Sequence, residues 1–255
     1  MTEIGETLGV AAALGACDLV DLSPTIDTNM PRWPTHPDVG ILRDARSVAI
    51  HGYFAQTIVL PEHSGCHVDA PAHLRPPDSG GTVDTFALDA LIGPAKKFDV
   101  SREGLAPGEV LSFAQFERLG TAAGLRIDRG DIVLFEFGWD KHFQDEVAQP
   151  SHRRGWWGAN EPGLDEDICR YLSEAGVRAV GSDTAGCDIA ELDGRIVSAF
   201  GHQQWFLPRG IPIVEGLYGL AQAPSSFVFL ALPLKIAGGS GSPLRAIGLV
   251  PRPQL

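Results

Sequence analysis

Short apolar runs bounded by glycine, proline or aspartate recur at Gln56 to Leu60, Asp131 to Phe137, Ala179 to Gly181, Phe227 to Leu232 and Ala246 to Val250. Each predicts a strand. Two segments carry helical spacing instead. Ser112 to Ala123 begins on a serine and sets Phe113, Phe116 and Leu119 along one side. Leu164 to Ala175 has Asp165, Glu166 and Asp167 at its front, where acidic side chains suit the positive end of a helix, and Gly176 at its close. Helices separated by several strands, rather than alternating with them one for one, predict an α+β arrangement. No linker interrupts the pattern, so residues 1–255 read as one domain.

Two segments predict loops. Asp140 to Asn160 is long and polar, yet it carries His142, His152, Trp156 and Trp157. Disordered segments are poor in aromatics, so the paired tryptophans predict an ordered cover. Lys235 to Pro243, with Gly238-Gly-Ser-Gly241, follows an apolar strand but lacks the Gly-Lys-Ser/Thr ending of a phosphate loop. It predicts a simple turn near the site.

Composition narrows the function classes. Hydrophobic residues at 44% and charged residues at 20% describe an ordinary soluble globule. A net charge of −12 argues against nucleic acid as a partner, since no basic stripe is present to neutralise phosphates, and Arg153-Arg154 is an isolated pair. No apolar run has the length of a membrane span, so no membrane partner is expected. Cys17, Cys66, Cys169 and Cys187 are scattered without a Cys-x-x-Cys pair, and the start Met-Thr-Glu-Ile has no basic residue. Both features predict the reducing cytoplasm.

The densest chemistry lies at Glu62 to Leu74, EHSGCHVDAPAHL, where His63, His67, Asp69 and His73 fall within eleven residues. Imidazole and carboxylate together bind borderline divalent ions such as Zn2+ or Mn2+. A helix would bring His63 and His67 onto one face but turn Asp69 away, because positions two apart on a helix diverge. The spacing therefore predicts a turn or strand end, with Gly65 letting the backbone approach the metal and Pro71 blocking helix continuation. His63, His67 and Asp69 are the candidate ligands. His73 reads as a general acid/base, with a fourth ligand as its alternative.

The run His63-x-Gly65-Cys66-His67-x-Asp69-x-Pro71-x-His73 resembles the signature of the cyclase family of metal-dependent hydrolases, which includes bacterial kynurenine formamidases and isatin hydrolases. Asp18 to Ser23, Met30 to Pro34, Gly130 to Trp139, Glu161 to Leu164, Gly181 to Thr184, His202 to Glu215 and Gly241 to Arg245 keep the family's order. The resemblance implies a swivelling β/β/α fold, a homodimer or larger homo-oligomer, and two further metal groups, His202 and Glu215. These either complete one ion's coordination or place a second. Cys66 stands where the family has threonine. A thiol there reads as an activated nucleophile, a soft ligand or a small buried residue.

Asp183 reads as a group orienting a ligand histidine or capping the next turn. Trp33, Trp139 and Trp205 adjoin the motif segments and predict a partly aromatic substrate pocket. With no Gly-x-Ser-x-Gly elbow in the chain, a serine hydrolase has little support. The resemblance thus implies a hydrolase that opens an aryl-linked amide or cyclic amide, a formamide or an isatin-like lactam, by metal-hydroxide attack, with His73 moving the protons. A lactone hydrolase is the nearest alternative. A non-catalytic metal- or small-molecule-binding protein is the rival from another class, and it would have no need of His73.

Overall fold

A computed structural model describes residues 9, 11–75, 79–149 and 155–252. The Arg153-Arg154 pair and His152 lie outside the described residues. Fourteen strands are described. They are β1 (Cys17–Asp21), β2 (Gly40–Arg46), β3 (Ala55–Val59), β4 (His67–Asp69), β5 (Ile92–Asp99), β6 (Val110–Leu111), β7 (Ile132–Glu136), β8 (Gly163–Leu164), β9 (Ala179–Ser182), β10 (Ala190–Leu192), β11 (Arg195–Ser198), β12 (Ile213–Glu215), β13 (Ser226–Pro233) and β14 (Gly241–Pro251). Four helices lie wholly within the described residues, α1 (Val48–His51), α2 (Phe113–Ala123), α3 (Asp140–Ala148) and α4 (Glu166–Ala175).

Eight strands form the main sheet in the order β1-β14-β13-β5-β7-β9-β12-β4, and β4 returns to pair with the start of β14. That last pairing, Gly241 to Asp69 and Pro243 to His67, closes the sheet into a barrel. β5, β7, β9 and β12 run parallel to one another, whereas β13, β14, β1 and β4 join antiparallel. Parallel neighbours need long crossovers. α2 lies in the connection from β5 to β7, and α3 and α4 lie between β7 and β9.

Strand alternation sorts the side chains into two cores. Ile132, Leu134, Ala179, Val214, Val68, Phe229, Ala231 and Ala246 gather on one face of the sheet, which the closure makes the barrel interior. Their neighbours Val133, Phe135, Val180 and Ile213 face outward and pack with Phe116 of α2 and Ile168 and Leu172 of α4. Full burial of each large side chain stabilises by about 1.5–3 kcal/mol. The parity has a consequence for chemistry: His67 and Asp69 flank Val68, and Glu215 follows Val214, so all three project from the outer face.

Both expected helices form, and their caps are legible in sequence. Ser112 accepts the Gln115 N–H while the Gln115 side chain accepts the Ser112 N–H, a reciprocal box worth about 1 kcal/mol. Asp165 caps α4 by accepting from Ile168 N, and Gly176 closes it at φ 74°. The segment from Asp140 to Asn160 corrects the expectation of one long loop, because its first half is α3. The apolar period was hidden: the buried face of α3 is Phe143 and Glu146, and the carboxylate counts as polar although main-chain N–H groups satisfy it inside the fold. The turn expected at Lys235 to Pro243 is also shorter, since Gly241 already belongs to β14.

Candidate metal centre

β4 supplies His67 and Asp69 two residues apart, so the strand period of two puts both on one face. β12 lies antiparallel to it with Glu215 directly opposite His67. Gly65, at φ +61°, turns the chain just before β4 and offers its carbonyl to His67 Nδ1 at 2.9 Å. His63 comes back over the strand against Gly241, where a Cβ would stand 2.6 Å from its ring; only glycine fits there. A five-residue π-helical turn, Gly201–Trp205, brings His202 in from a separate part of the chain.

Each histidine uses one ring nitrogen to donate outward. His67 Nδ1–H goes to the Gly65 carbonyl, His202 Nδ1–H to Asp188 Oδ1 at 2.6 Å, and His63 Nε2–H to Ser240 Oγ at 2.9 Å, whose own hydroxyl donates to Glu62. The remaining ring nitrogens all turn toward carboxylates. His67 Nε2 lies 3.4 Å from Asp69 and 3.5 Å from Glu215, His202 Nε2 lies 3.3 Å from Asp69 and 3.4 Å from Glu215, and His63 Nδ1 is 2.6 Å from Asp69. A lone pair facing a carboxylate is repulsive unless a cation or a proton sits between them. Tetrahedral coordination at the usual metal–ligand lengths sets ligand atoms about 3.4 Å apart; the contacts of His67 and His202 with the two carboxylates, 3.3–3.5 Å, match it and fit a divalent ion, whereas His63 and Asp69 at 2.6 Å make a direct hydrogen bond. The convergent atoms form two triads, His63 with His67 and Asp69, and Asp69 with His202 and Glu215, sharing Asp69.

The electrostatics show the same demand for positive charge. Burial opposes protonation of His67, but the hydrogen bonds and charges of Asp69 and Glu215 outweigh it and lift its pKa to about 10. Burial would raise Asp69 as well, yet bonds from His202, His63 and His67 hold its carboxyl well below the usual carboxylate range. Glu215 is pushed up by burial and by the Asp69 charge beside it.

His73 stands apart from both triads. It sits on the 3-10 turn Pro71–Leu74 that follows β4, with Nε2 3.6 Å from Asp69 Oδ2 and its ring 4.2 Å from that of His63. Its side chain is 28% exposed against 7% for His202, so it borders the cavity rather than the ligand cluster. Burial, reinforced by the neighbouring histidines and opposed by Asp69, brings its pKa down to about 4. At neutral pH it is an unprotonated imidazole.

The centre floors a cavity of about 300 Å3 walled by Trp33, Trp157, Ile189, Ile196, Ala199 and Leu74. Of the three tryptophans expected there, only Trp33 lines it. Trp139 is buried behind the wall, stacked on Trp156 at 5.7 Å, and its indole N–H donates to the Trp157 carbonyl. Trp205 lies on the far side of its turn, under Arg209 and against Glu166. Trp157 lines the cavity instead, held by Glu146, which accepts the Trp157 N–H at 2.9 Å and also that of Gly155. Among the described residues Asp183 bonds no histidine; it accepts the N–H groups of Phe137 and Trp139, both at 2.8 Å, and fixes the turn between β7 and α3. Asp188 takes the orienting role. Glu161, fully buried, pins the next loop through Ala185 N, and Glu215 does so through Cys187 N.

Cys66 faces the other way. It alternates with His67 and joins Val68 and Leu22 in the barrel core, where burial pushes its thiol up to about 12. A thiol so placed is neither a nucleophile nor a ligand. Cys66→Thr should therefore retain wild-type turnover within about threefold, its hydroxyl meeting Ser23, which already contacts the thiol. A folded, metal-loaded Cys66→Thr protein without activity, or an acyl adduct on Cys66 in mass spectra, would contradict this placement.

Ligand groups shared between two strands of a closed sheet and a histidine from a later turn could hold a divalent ion, and the relatives of the chain are hydrolases. Residues 20–189 match the Putative cyclase family, and the chain belongs to it. It is 30% identical to the isatin hydrolase of Roseibium aggregatum over 264 residues, covering 96% of each chain. It is also 30% identical to the kynurenine formamidase of Salinibacter ruber over 230 residues, covering 90% of this chain and 96% of that one. Among solved structures, an isatin hydrolase bound to the product analogue thioisatinate superposes with a TM-score of 0.84 at 27% identity, covering 99% of this chain and 100% of the other. The α+β fold with its barrel-like sheet is common to both.

Proposed function

We propose that the chain is a metal-dependent hydrolase of carbon–nitrogen bonds that opens an aryl-linked amide or cyclic amide, of the formamide or isatin-like lactam type. The observation that carries this reading is the convergence of ring nitrogens of His63, His67 and His202 on Asp69 and Glu215 at the floor of an aromatic-walled cavity. When bound, a divalent cation supplies Lewis acidity toward the scissile carbonyl and lowers the pKa of an adjacent water. Zn2+ or Mn2+ suits the mixed imidazole and carboxylate donors. Asp188, Ser240 and Gly65 hold the three rings in the tautomers that leave those donors free.

His73 is the proton carrier of this reading. Neutral and at the cavity edge, it takes the proton released from water and returns it to the leaving nitrogen. Trp33 and Trp157 present flat apolar surface on which an aromatic ring can stack while its carbonyl reaches the centre. A purely binding protein would gain nothing from an unprotonated imidazole beside the ligand set.

The whole chain is read as one catalytic unit, because the main sheet draws strands from Cys17–Asp21 through Gly241–Pro251. Association into a homodimer or larger is supported by the β2–β3 hairpin, which is separate from the main sheet and, with α1 and the turn after it, exposes Leu42, Ile50, Phe54, Ile58 and Val59. The unpaired buried thiols of Cys66, Cys169 and Cys187 suit the cytoplasm. Among the described residues no helix is long and apolar enough to cross a membrane.

A kinetic panel of aryl formamides, aromatic lactams and aliphatic lactones tests the reading. Turnover of the aromatic amides should exceed that of the aliphatic lactones, vanish with chelator and return with Mn2+ or Zn2+. Efficient lactone cleavage with every aromatic amide left intact would overturn the substrate class.

A further inference from the structure

The metal ligands address the carbonyl of an amide and of an ester alike and His73 acts on the leaving group, so recognition of the amide N–H itself falls to another cavity group. His36 lines the cavity, with its ring centroid 5.7 Å from that of His63. Its Nδ1 lies 3.2 Å from the His63 carbonyl. A carbonyl oxygen only accepts, so Nδ1 carries the ring proton and Nε2 of the neutral imidazole is left with a lone pair. No group among the described residues donates to that nitrogen. The segment around it is pinned: Arg32 reaches Asp38 at 2.7 Å and the carbonyls of Trp33 and Pro34, and His36 N–H donates to the Trp33 carbonyl at 3.0 Å. A held ring whose acceptor meets no protein donor among the described residues is pre-organised for one kind of partner, a donor.

Resting on the amide-hydrolase reading above, we propose that His36 is a specificity residue whose Nε2 accepts the N–H of a secondary amide or lactam substrate and thereby selects amide over ester. A secondary amide carries an N–H one bond from the carbonyl carbon that the metal centre must address. An ester or lactone carries at that position an oxygen with lone pairs, which meets the imidazole lone pair unfavourably and leaves the acceptor unsatisfied. An N-alkylated amide fails for the same lack of a donor. His36 takes no part in bond breaking and moves no proton in this scheme.

The test compares kcat/KM for an aromatic lactam, its N-methyl derivative and the lactone of the same ring frame in the wild type, His36→Leu and His36→Gln, with metal content measured for each. The wild type should prefer the N–H lactam to the N-methyl compound by about 10-fold, a size set by one neutral hydrogen bond. In His36→Leu that preference should fall to within about twofold and the lactam-to-lactone ratio should drop by a similar factor. The loss should appear mainly in KM, with metal content unchanged. Leucine keeps the bulk of the wall, so a purely steric penalty on the methyl group would persist. His36→Gln, which can present an amide oxygen, should recover part of the preference. Equal losses on all three compounds, or ratios unchanged from wild type while lactams are still cleaved, would overturn the assignment and leave the amide-hydrolase reading standing. A wild-type enzyme that cleaves only the lactone would overturn both.

Discussion

Asp69→Ala should abolish turnover and strip the protein of its bound divalent metal. Asp69 is the one group common to both ligand triads, and its two oxygens face His63, His67 and His202 within 3.4 Å, with His73 just beyond at 3.6 Å. Removing it takes away a ligand and leaves the buried imidazoles without the charge that organises them. Loss of an outer-shell partner of a metal ligand already costs on the order of 10–100-fold in affinity, so loss of the shared carboxylate should cost more than about 10²-fold. Elemental analysis of purified protein gives the first readout. Asp69→Asn, which keeps the shape and one carbonyl oxygen, separates loss of charge from collapse of the strand, and circular dichroism checks that both variants fold. Full metal occupancy in folded Asp69→Ala would remove the site assignment. His67→Ala should behave alike, since its Nε2 faces both carboxylates.

The chain displays part of this centre in its sequence and conceals the rest for a physical reason. His67 and Asp69 are two apart, a strand period, and the exclusion of a helix at that point follows from side-chain geometry alone. The Ser112 and Asp165 caps are legible in the same way, because a cap is a local hydrogen bond. Tertiary partners leave no such trace. Asp188 lies 14 residues before His202, and Ser240 lies 177 residues after His63, joined only by the closure of β14 onto β4. The tryptophans show the limit most sharply. Nearness in sequence to a motif placed Trp139 and Trp205 in the pocket, whereas wall membership depends on which way each side chain leaves its turn. Trp157 faces the cavity because Glu146, one helix earlier, holds its backbone. Barrel closure itself is a non-local register, carried by the three residues Gly241 to Pro243 against β4, and no periodicity in either segment announces it.

His73→Ala should keep its metal and lose turnover by about 10²-fold or more, the usual contribution of a positioned acid/base. The separation of the two effects follows from where the side chain sits. His73 lies outside both ligand triads, while the three ligand histidines each have a dedicated outward acceptor that holds their tautomer. His73 instead borders the cavity, where burial brings its pKa down to about 4 and leaves the ring unprotonated across the neutral range before substrate binds. Amide cleavage needs that proton delivered to a poor nitrogen leaving group, so the loss in kcat should be larger for an unactivated anilide than for an ester with a good leaving group. A small exogenous imidazole should restore part of the rate in the alanine variant, because the cavity left behind opens toward solvent. Metal content in His73→Ala decides between the two roles: a variant that comes off the column metal-free makes His73 a ligand, and one with wild-type kcat removes it from the mechanism. Retained metal, a depressed kcat that scales with leaving-group basicity, and rescue by imidazole together identify the proton carrier.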